Sequence, residues 1–193
     1  MLESLFVSTG VVALAEIGDK TQLLAFILAA RFRKPLPIIA GILVATLLNH
    51  GLAGAVGALI AAAISPVVLR WVLGLSFIGM AIWTMIPDEI EEDETKVAGK
   101  LGIFGATALT FFLAEMGDKT QIATIALAAH YASPLLVVLG TTLGMLIADV
   151  PAVFAGRQLA TKIPMKLVHA IAAAIFVLLG LATLLGAGAK LGF

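Results

Sequence analysis

Two heptapeptides of nearly identical sequence contain the residues whose types and spacing could carry chemistry. Residues 16–22 have the sequence Glu-Ile-Gly-Asp-Lys-Thr-Gln, and residues 115–121 have the sequence Glu-Met-Gly-Asp-Lys-Thr-Gln. On a continuous α-helix, residues spaced three apart share a face, so each segment would present two carboxylates and, about one turn further along, an amide. The candidate metal ligands are Glu16, Asp19, Gln22, Glu115, Asp118 and Gln121.

Oxygen-bearing side chains of this kind suit hard divalent cations. If the two segments meet, their carboxylates and amides surround one volume, and such oxygens are the ligands that Mg²⁺, Ca²⁺ and Mn²⁺ prefer. The chain contains no cysteine, which excludes disulfides, thiolate metal sites and cysteine nucleophiles. Gly18 and Gly117, between the acidic residues, would allow close helix approach or local unwinding that exposes backbone carbonyls.

The formal charge of this predicted site points to the exchange of a metal ion against protons. Four carboxylates together with Lys20 and Lys119 leave a formal charge of −2 when every group is ionised. One divalent cation or two protons would neutralise that charge, and clustered carboxylates are good proton acceptors once a metal leaves. The two lysines are either internal counter-ions of the site or structural partners of a carboxylate.

The elements that must position these residues are membrane-spanning helices. Of the 193 residues, 61% are hydrophobic and 12% charged, with a mean hydropathy of +1.12, well above the roughly half-apolar composition of soluble domains. We therefore predict that the protein lies in a lipid bilayer. Its formal net charge of zero predicts no nucleic-acid partner. Apolar runs long enough to cross a bilayer, about 20 residues, predict six transmembrane helices near residues 5–30, 36–64, 67–86, 103–129, 135–160 and 167–187.

The chain contains an internal repeat. When it is shifted by 99 positions, residues 15–57 match residues 114–156 without a gap, and 16 of the 43 pairs are identical, which is typical of a duplicated structural unit. Each unit would hold three helices, and this odd number makes the second unit enter the membrane from the opposite side. The predicted fold class is therefore all-α transmembrane, with six helices as two inverted three-helix repeats around a midplane site, where buried ionisable groups mark an ion path.

The predicted domains are a first repeat over 1–86, an acidic cytoplasmic linker over 87–100 and a second repeat over 101–193. The first, third and fifth loops contain most of the basic residues, whereas the opposite side has only Arg70 and Lys190. By the positive-inside rule, both termini face outward and the linker faces the cytoplasm. The basic residues of these three loops are Arg31, Arg33, Lys34, Lys96, Lys100, Arg157, Lys162 and Lys166.

A second group of polar residues is predicted to surround the ligands or to form a proton path. Asp149 precedes Pro151, whose missing N–H would free a helical carbonyl, and the repeat places His50 opposite Asp149. The alternative is that such residues only hold helices together. The full set of candidates is Thr21, Thr120, Lys20, Lys119, Asn49, His50 and Asp149.

Two other classes of function fit these residues less well than transport of a metal ion. The segment 16–19 superficially resembles the Gly-x-Gly-Asp of intramembrane aspartyl proteases, but Glu16 stands where that sequence has glycine, and the second segment repeats the same pattern. Duplication favours a transporter, so no enzymatic activity is predicted. A channel or an exporter of small metabolites would need an apolar or aromatic lining. The candidate ligands of the two heptapeptides instead offer almost only oxygen atoms.

Residues 15–21 and 114–120 resemble the duplicated Glu-x-Gly-Asp-Lys/Arg-Thr/Ser signature of a family of cation/proton exchangers, which includes bacterial manganese exporters and Golgi calcium/manganese transporters. The resemblance covers essentially the whole chain. It implies that the two segments form the cation site, that Mn²⁺ or Ca²⁺ leaves the cytoplasm in exchange for protons, and that no permanent cofactor is needed. A short chain without an organelle-targeting extension favours the bacterial manganese branch in a prokaryotic plasma membrane. A Ca²⁺/H⁺ exchanger is the alternative.

Overall fold

The computed structural model describes residues 2–86, 101–155 and 165–186, and within these ranges the secondary structure is entirely helical. The predicted linker 87–100 and residues 156–164, which include part of the interval between the last two predicted helices, lie outside the described residues. The helices, numbered in chain order, are α1 Leu2–Glu16, α2 Lys20–Phe32, α3 Pro35–Ala63, α4 Pro66–Thr84, α5 Gly102–Glu115, α6 Lys119–His130, α7 Pro134–Ala155 and α8 Met165–Leu184.

Proline begins three of these helices. Pro35, Pro66 and Pro134 are the first residues of α3, α4 and α7, a position where the missing N–H costs nothing and the fixed φ already suits a helix. The intervals at residues 31–35, 65–66 and 130–134, which separate the predicted transmembrane helices, therefore coincide with helix ends in the structure.

The first and fourth predicted transmembrane helices are not continuous. The run 5–30 is divided into α1 and α2, and the run 103–129 into α5 and α6, each time within the acidic heptapeptide. The prediction that Glu16 and Asp19 share one helical face is wrong, because Glu16 ends α1 and Asp19 precedes α2. Local unwinding at the glycines, the alternative that the sequence left open, is what occurs.

The distribution of polar and apolar side chains is that of a membrane protein. Within the described ranges, α3, α4, α7 and α8 are long and apolar enough to cross a bilayer. Large apolar side chains such as Leu59, Leu75 and Leu178 are more than half exposed, whereas Glu16, Glu115 and other polar residues are buried. An apolar exterior of this extent requires lipid around it.

Helices of the two predicted repeats pack against each other in a reciprocal pattern. The main neighbour of α1 is α7, and α5 packs against α3; α3 and α7 also contact each other, and α4 packs on α8. Gly41 of α3 and Gly140 of α7 lie at the crossings with α5 and α1, where an added Cβ would come within 2.7 Å of Thr107 Cβ and 2.5 Å of the Leu5 carbonyl oxygen. These positions are 99 residues apart, and at both of them the absence of a side chain lets two helices approach closely.

Candidate metal centre

Both heptapeptides adopt the same break between two short helices. Gly18 and Gly117 have φ angles of +87° and +79°, a left-handed conformation that costs a residue with a Cβ about 1–2 kcal/mol. The backbone N–H groups of Asp19 and Asp118 donate to the carbonyls of Glu16 and Glu115 at 3.0 and 3.1 Å. The glycine therefore turns the chain so that a glutamate ends one helix and an aspartate begins the next.

The two glutamines hold these breaks. The Oε1 atoms of Gln22 and Gln121 accept hydrogen bonds from the backbone N–H groups of Gly18 and Gly117 at 2.9 and 2.8 Å. This resembles a capping box, in which a glutamine in the first helical turn reaches back to a free N–H. The Nε2 atom of Gln22 donates to the carbonyl of Ala148 at 3.0 Å. Both ends of this amide are thus occupied by protein groups, and its role as a metal ligand stays a prediction.

Two threonines orient the two glutamates. Thr21 Oγ1 donates to Glu16 Oε2 at 2.6 Å, and Thr120 Oγ1 donates to Glu115 Oε2 at 2.9 Å. The other carboxylate oxygen of each glutamate is buried without a hydrogen-bond partner in the described part of the chain. Each hydroxyl therefore holds one oxygen of a carboxylate and leaves the second available to a ligand.

Each lysine pairs with the aspartate of the other heptapeptide. Lys119 Nζ donates to Asp19 Oδ1, and both side chains are buried. Lys20 Nζ lies 3.8 Å from Asp118 Oδ1, and its side chain is 20% exposed. Each lysine therefore has a carboxylate partner, and that partner lies in the opposite segment.

The carboxylates of both segments meet in one buried group. Ligand oxygens of Glu16, Asp19 and Asp118 lie within 4.8 Å of one another, a spacing that could hold a metal ion. Glu115 is not part of this triad, but Thr120 Oγ1 joins it to the group, because this hydroxyl lies 2.9 Å from Glu115 Oε2 and 3.5 Å from Asp118 Oδ2. The structure therefore assembles three of the four predicted acidic ligands directly and places the fourth beside them.

The predicted surrounding residues on α3 and α7 are fully buried. Asn49 Nδ2 donates to the carbonyl of Phe112 at 2.9 Å, and Asn49 Oδ1 accepts from Gln121 Nε2 at 2.5 Å. His50 Nε2 lies 3.9 Å from Glu115 Oε2, and both oxygens of Asp149 lack a hydrogen-bond partner within the described ranges. The sequence did not indicate the Ala148 carbonyl as an acceptor, since a backbone group leaves no residue-type signal.

Comparison with known proteins decides the family. Residues 4–92 and 103–190 match the family described as Divalent cation/proton antiporter GDT1. The chain belongs to this family. GDT1 proteins exchange a divalent cation for protons, so the resemblance inferred from the two heptapeptides is confirmed, and the buried carboxylate group lies in a transporter.

Relatives of similar sequence occur in bacteria and plants. A Vibrio cholerae serotype O1 protein named "Putative manganese exporter" is 50% identical over 95% of this chain and 91% of its own length. GDT1-like protein 3 of Oryza sativa subsp. indica is 32% identical over 91% of this chain and 71% of the relative. GDT1-like protein 5 of Arabidopsis thaliana is 28% identical over 96% of both chains. No solved structure matches this GDT1 protein significantly.

Proposed function

We propose that this antiporter exports Mn²⁺ from the cytoplasm of a prokaryotic cell in exchange for protons. The observation that carries the proposal is the buried triad of Glu16, Asp19 and Asp118, in which carboxylates of both heptapeptides meet. Carboxylate oxygens suit Mn²⁺, and the name of the Vibrio cholerae relative refers to manganese export.

Charge balance supports exchange against protons. Without a metal ion, Lys119 and Lys20 supply the positive charge beside Asp19 and Asp118. An arriving divalent cation competes with these lysines for the aspartates and neutralises the formal charge of −2 that the four motif carboxylates and two lysines carry. When the cation leaves, two protons restore the same balance, because unpaired charge is costly at a buried site.

The proposal includes six membrane crossings in two inverted repeats. The lengths of α1 with α2, and of α5 with α6, sum to about 40 Å of helix at about 1.5 Å per residue, which exceeds the roughly 30 Å hydrocarbon core. The reciprocal packing of α1 on α7 and α5 on α3 supports a two-fold relation between the halves. Alternating access would then move the halves around a site at the midplane, with the termini outside and the linker 87–100 in the cytoplasm.

A Ca²⁺/H⁺ exchanger is the second candidate, because the triad offers oxygen ligands alone and Ca²⁺ binds through oxygen. Flux into liposomes that contain the purified full chain distinguishes the two. We expect Mn²⁺ flux that depends on an opposing pH gradient and exceeds Ca²⁺ flux. Preference for Ca²⁺ would establish the second candidate, and Mn²⁺ flux insensitive to the pH gradient would contradict antiport in favour of a channel or uniporter.

Neutral variants test the site itself. We expect Glu16→Gln, Asp19→Asn and Asp118→Asn each to lower the apparent Mn²⁺ affinity by about 100-fold or more. Each substitution removes a charged ligand, and the loss of a residue that only supports a ligand already lowers metal affinity by about 10–100-fold. Glu3→Gln is the matched control, because Glu3 is an exposed acid in the first turn of α1. Undiminished Mn²⁺ transport in the three site variants would refute the proposed site.

A further inference from the structure

The two halves of the buried site differ at one pair of equivalent positions. His50 of α3 and Asp149 of α7 are 99 residues apart, the offset that superimposes the two heptapeptides. Both side chains are fully buried. His50 faces Glu115, whereas Asp149 follows Ala148, whose carbonyl accepts a hydrogen bond from Gln22 of the first heptapeptide. One side of the carboxylate cluster therefore offers a nitrogen where the other offers oxygens.

The imidazole of His50 lacks the partners that a buried histidine normally has. Neither Nδ1 nor Nε2 makes a hydrogen bond to any described residue, although a neutral ring carries one donor and one acceptor. Glu115 Oε2 lies 3.9 Å from Nε2, which is beyond hydrogen-bond distance. Buried polar groups without partners are uncommon and call for a specific explanation, such as a bound ion.

The spacing of these two atoms suits ligands of one cation. Metal ions bind imidazole nitrogen and carboxylate oxygen at about 2.0–2.6 Å, so two ligands of the same ion are typically about 3–5 Å apart. The distance of 3.9 Å between Nε2 and Oε2 falls in this range. Glu115 also has its second oxygen, Oε1, buried without a hydrogen bond in the described part of the chain.

We propose that His50 is a ligand of the transported ion and selects Mn²⁺ over Ca²⁺. This inference rests on the proposed function and concerns the same site. Ca²⁺ is bound by oxygen ligands, whereas manganese is held by glutamate and histidine together in the dimanganese carboxylate proteins built from helices. A nitrogen on the Glu115 side of the cluster therefore strengthens the binding of a transition-metal ion and contributes nothing to the binding of Ca²⁺.

The substitution His50→Gln tests this selection by replacing the imidazole with an amide. We expect apparent Mn²⁺ affinity to fall by about tenfold or more, while Ca²⁺ affinity stays the same or rises, so that the ratio of the two affinities changes. His169→Gln is the matched control, because His169 is a half-buried histidine of α8. Both variants are measured as the full chain in liposomes, by Mn²⁺ and Ca²⁺ flux.

A spectroscopic measurement separates ligation from a structural role. Pulsed electron paramagnetic resonance of Mn²⁺ bound to the purified protein detects a directly coordinated nitrogen. We expect this coupling in the unchanged chain and in His169→Gln, and its loss in His50→Gln. Bound Mn²⁺ without nitrogen coupling in the unchanged chain, or an unaltered affinity ratio in His50→Gln, would overturn the inference.

Mn²⁺ binding by Glu16→Gln and Asp19→Asn distinguishes failure of the proposed carboxylate site from failure of the proposed role of His50. If these variants abolish Mn²⁺ binding while His50→Gln retains the nitrogen coupling and the affinity ratio, the carboxylate site stands and the role of His50 is refuted. If these variants bind Mn²⁺ normally, the proposed site itself is refuted.

Discussion

Each motif glutamate has one carboxylate oxygen held by a threonine and one left without a hydrogen bond. The distances of 2.6 Å from Thr21 to Glu16 and 2.9 Å from Thr120 to Glu115 are those of O–H···O hydrogen bonds. Because a carboxylate held by one oxygen cannot rotate freely, the second oxygen keeps its direction. The hydroxyls therefore position the ligands.

The substitution Thr21→Val tests this positioning. Valine keeps the branched shape and removes the hydroxyl, so we expect the dissociation constant of Mn²⁺ to rise about tenfold, as for the loss of other groups that orient a metal ligand. Thr21→Ser keeps the hydroxyl and should bind nearly as well as the unchanged chain. Titration calorimetry of the purified variants measures both constants, and equal affinity of the valine and serine variants would contradict the prediction.

At the scale of the helices, the decisive feature is that each heptapeptide interrupts a helix. Gly18 and Gly117 adopt positive φ angles, and Gln22 and Gln121 accept hydrogen bonds from the freed glycine N–H groups. Without the break, Glu16 and Asp19 would lie one turn apart on a single helix instead of at the end of one helix and the start of the next. The metal centre therefore depends on backbone conformation as much as on the acidic side chains.

Alanine at Gly117 isolates this backbone contribution. No atom lies within 4 Å of an added Cβ, so the only cost is the φ angle of +79°, and we expect the free energy of unfolding to fall by about 1–2 kcal/mol, with weaker Mn²⁺ binding. Gly10→Ala is the control, because Gly10 lies inside α1 with equally open space and alanine there should stabilise the helix by about 0.5–1 kcal/mol. Thermal unfolding in detergent compares the two, and equal effects would contradict the prediction.

At the scale of the whole molecule, the number of membrane crossings determines whether the two repeats have opposite orientations in the membrane. α3, α4, α7 and α8 are long enough to cross on their own, whereas we propose that the shorter helices α1, α2, α5 and α6 cross in pairs. If α5 and α6 together cross, residue 132 lies on the side opposite residue 34. If they do not, both residues lie on the same side.

Single cysteines measure this directly, because the chain has no cysteine of its own. We expect Lys34→Cys to react with a membrane-impermeant thiol reagent only from the cytoplasm, and Ser65→Cys and Ala132→Cys only from outside. All three positions are exposed. Labelling of Ala132→Cys from the cytoplasm would show that α5 and α6 do not cross, and would contradict the inverted repeat.

The sequence by itself determined the features that depend on local composition and on identity between its own segments. Apolar runs determined that the protein is helical and lies in a membrane, prolines determined where α3, α4 and α7 begin, and the duplicated acidic heptapeptide identified the family. Only the tertiary structure decided that α1 and α5 end at their glutamates, that Lys119 pairs with Asp19 across 100 residues, and that the amide of Gln22 is occupied by backbone groups. These features depend on a glycine dihedral angle and on contacts between distant residues, which the spacing of residue types along one chain does not specify.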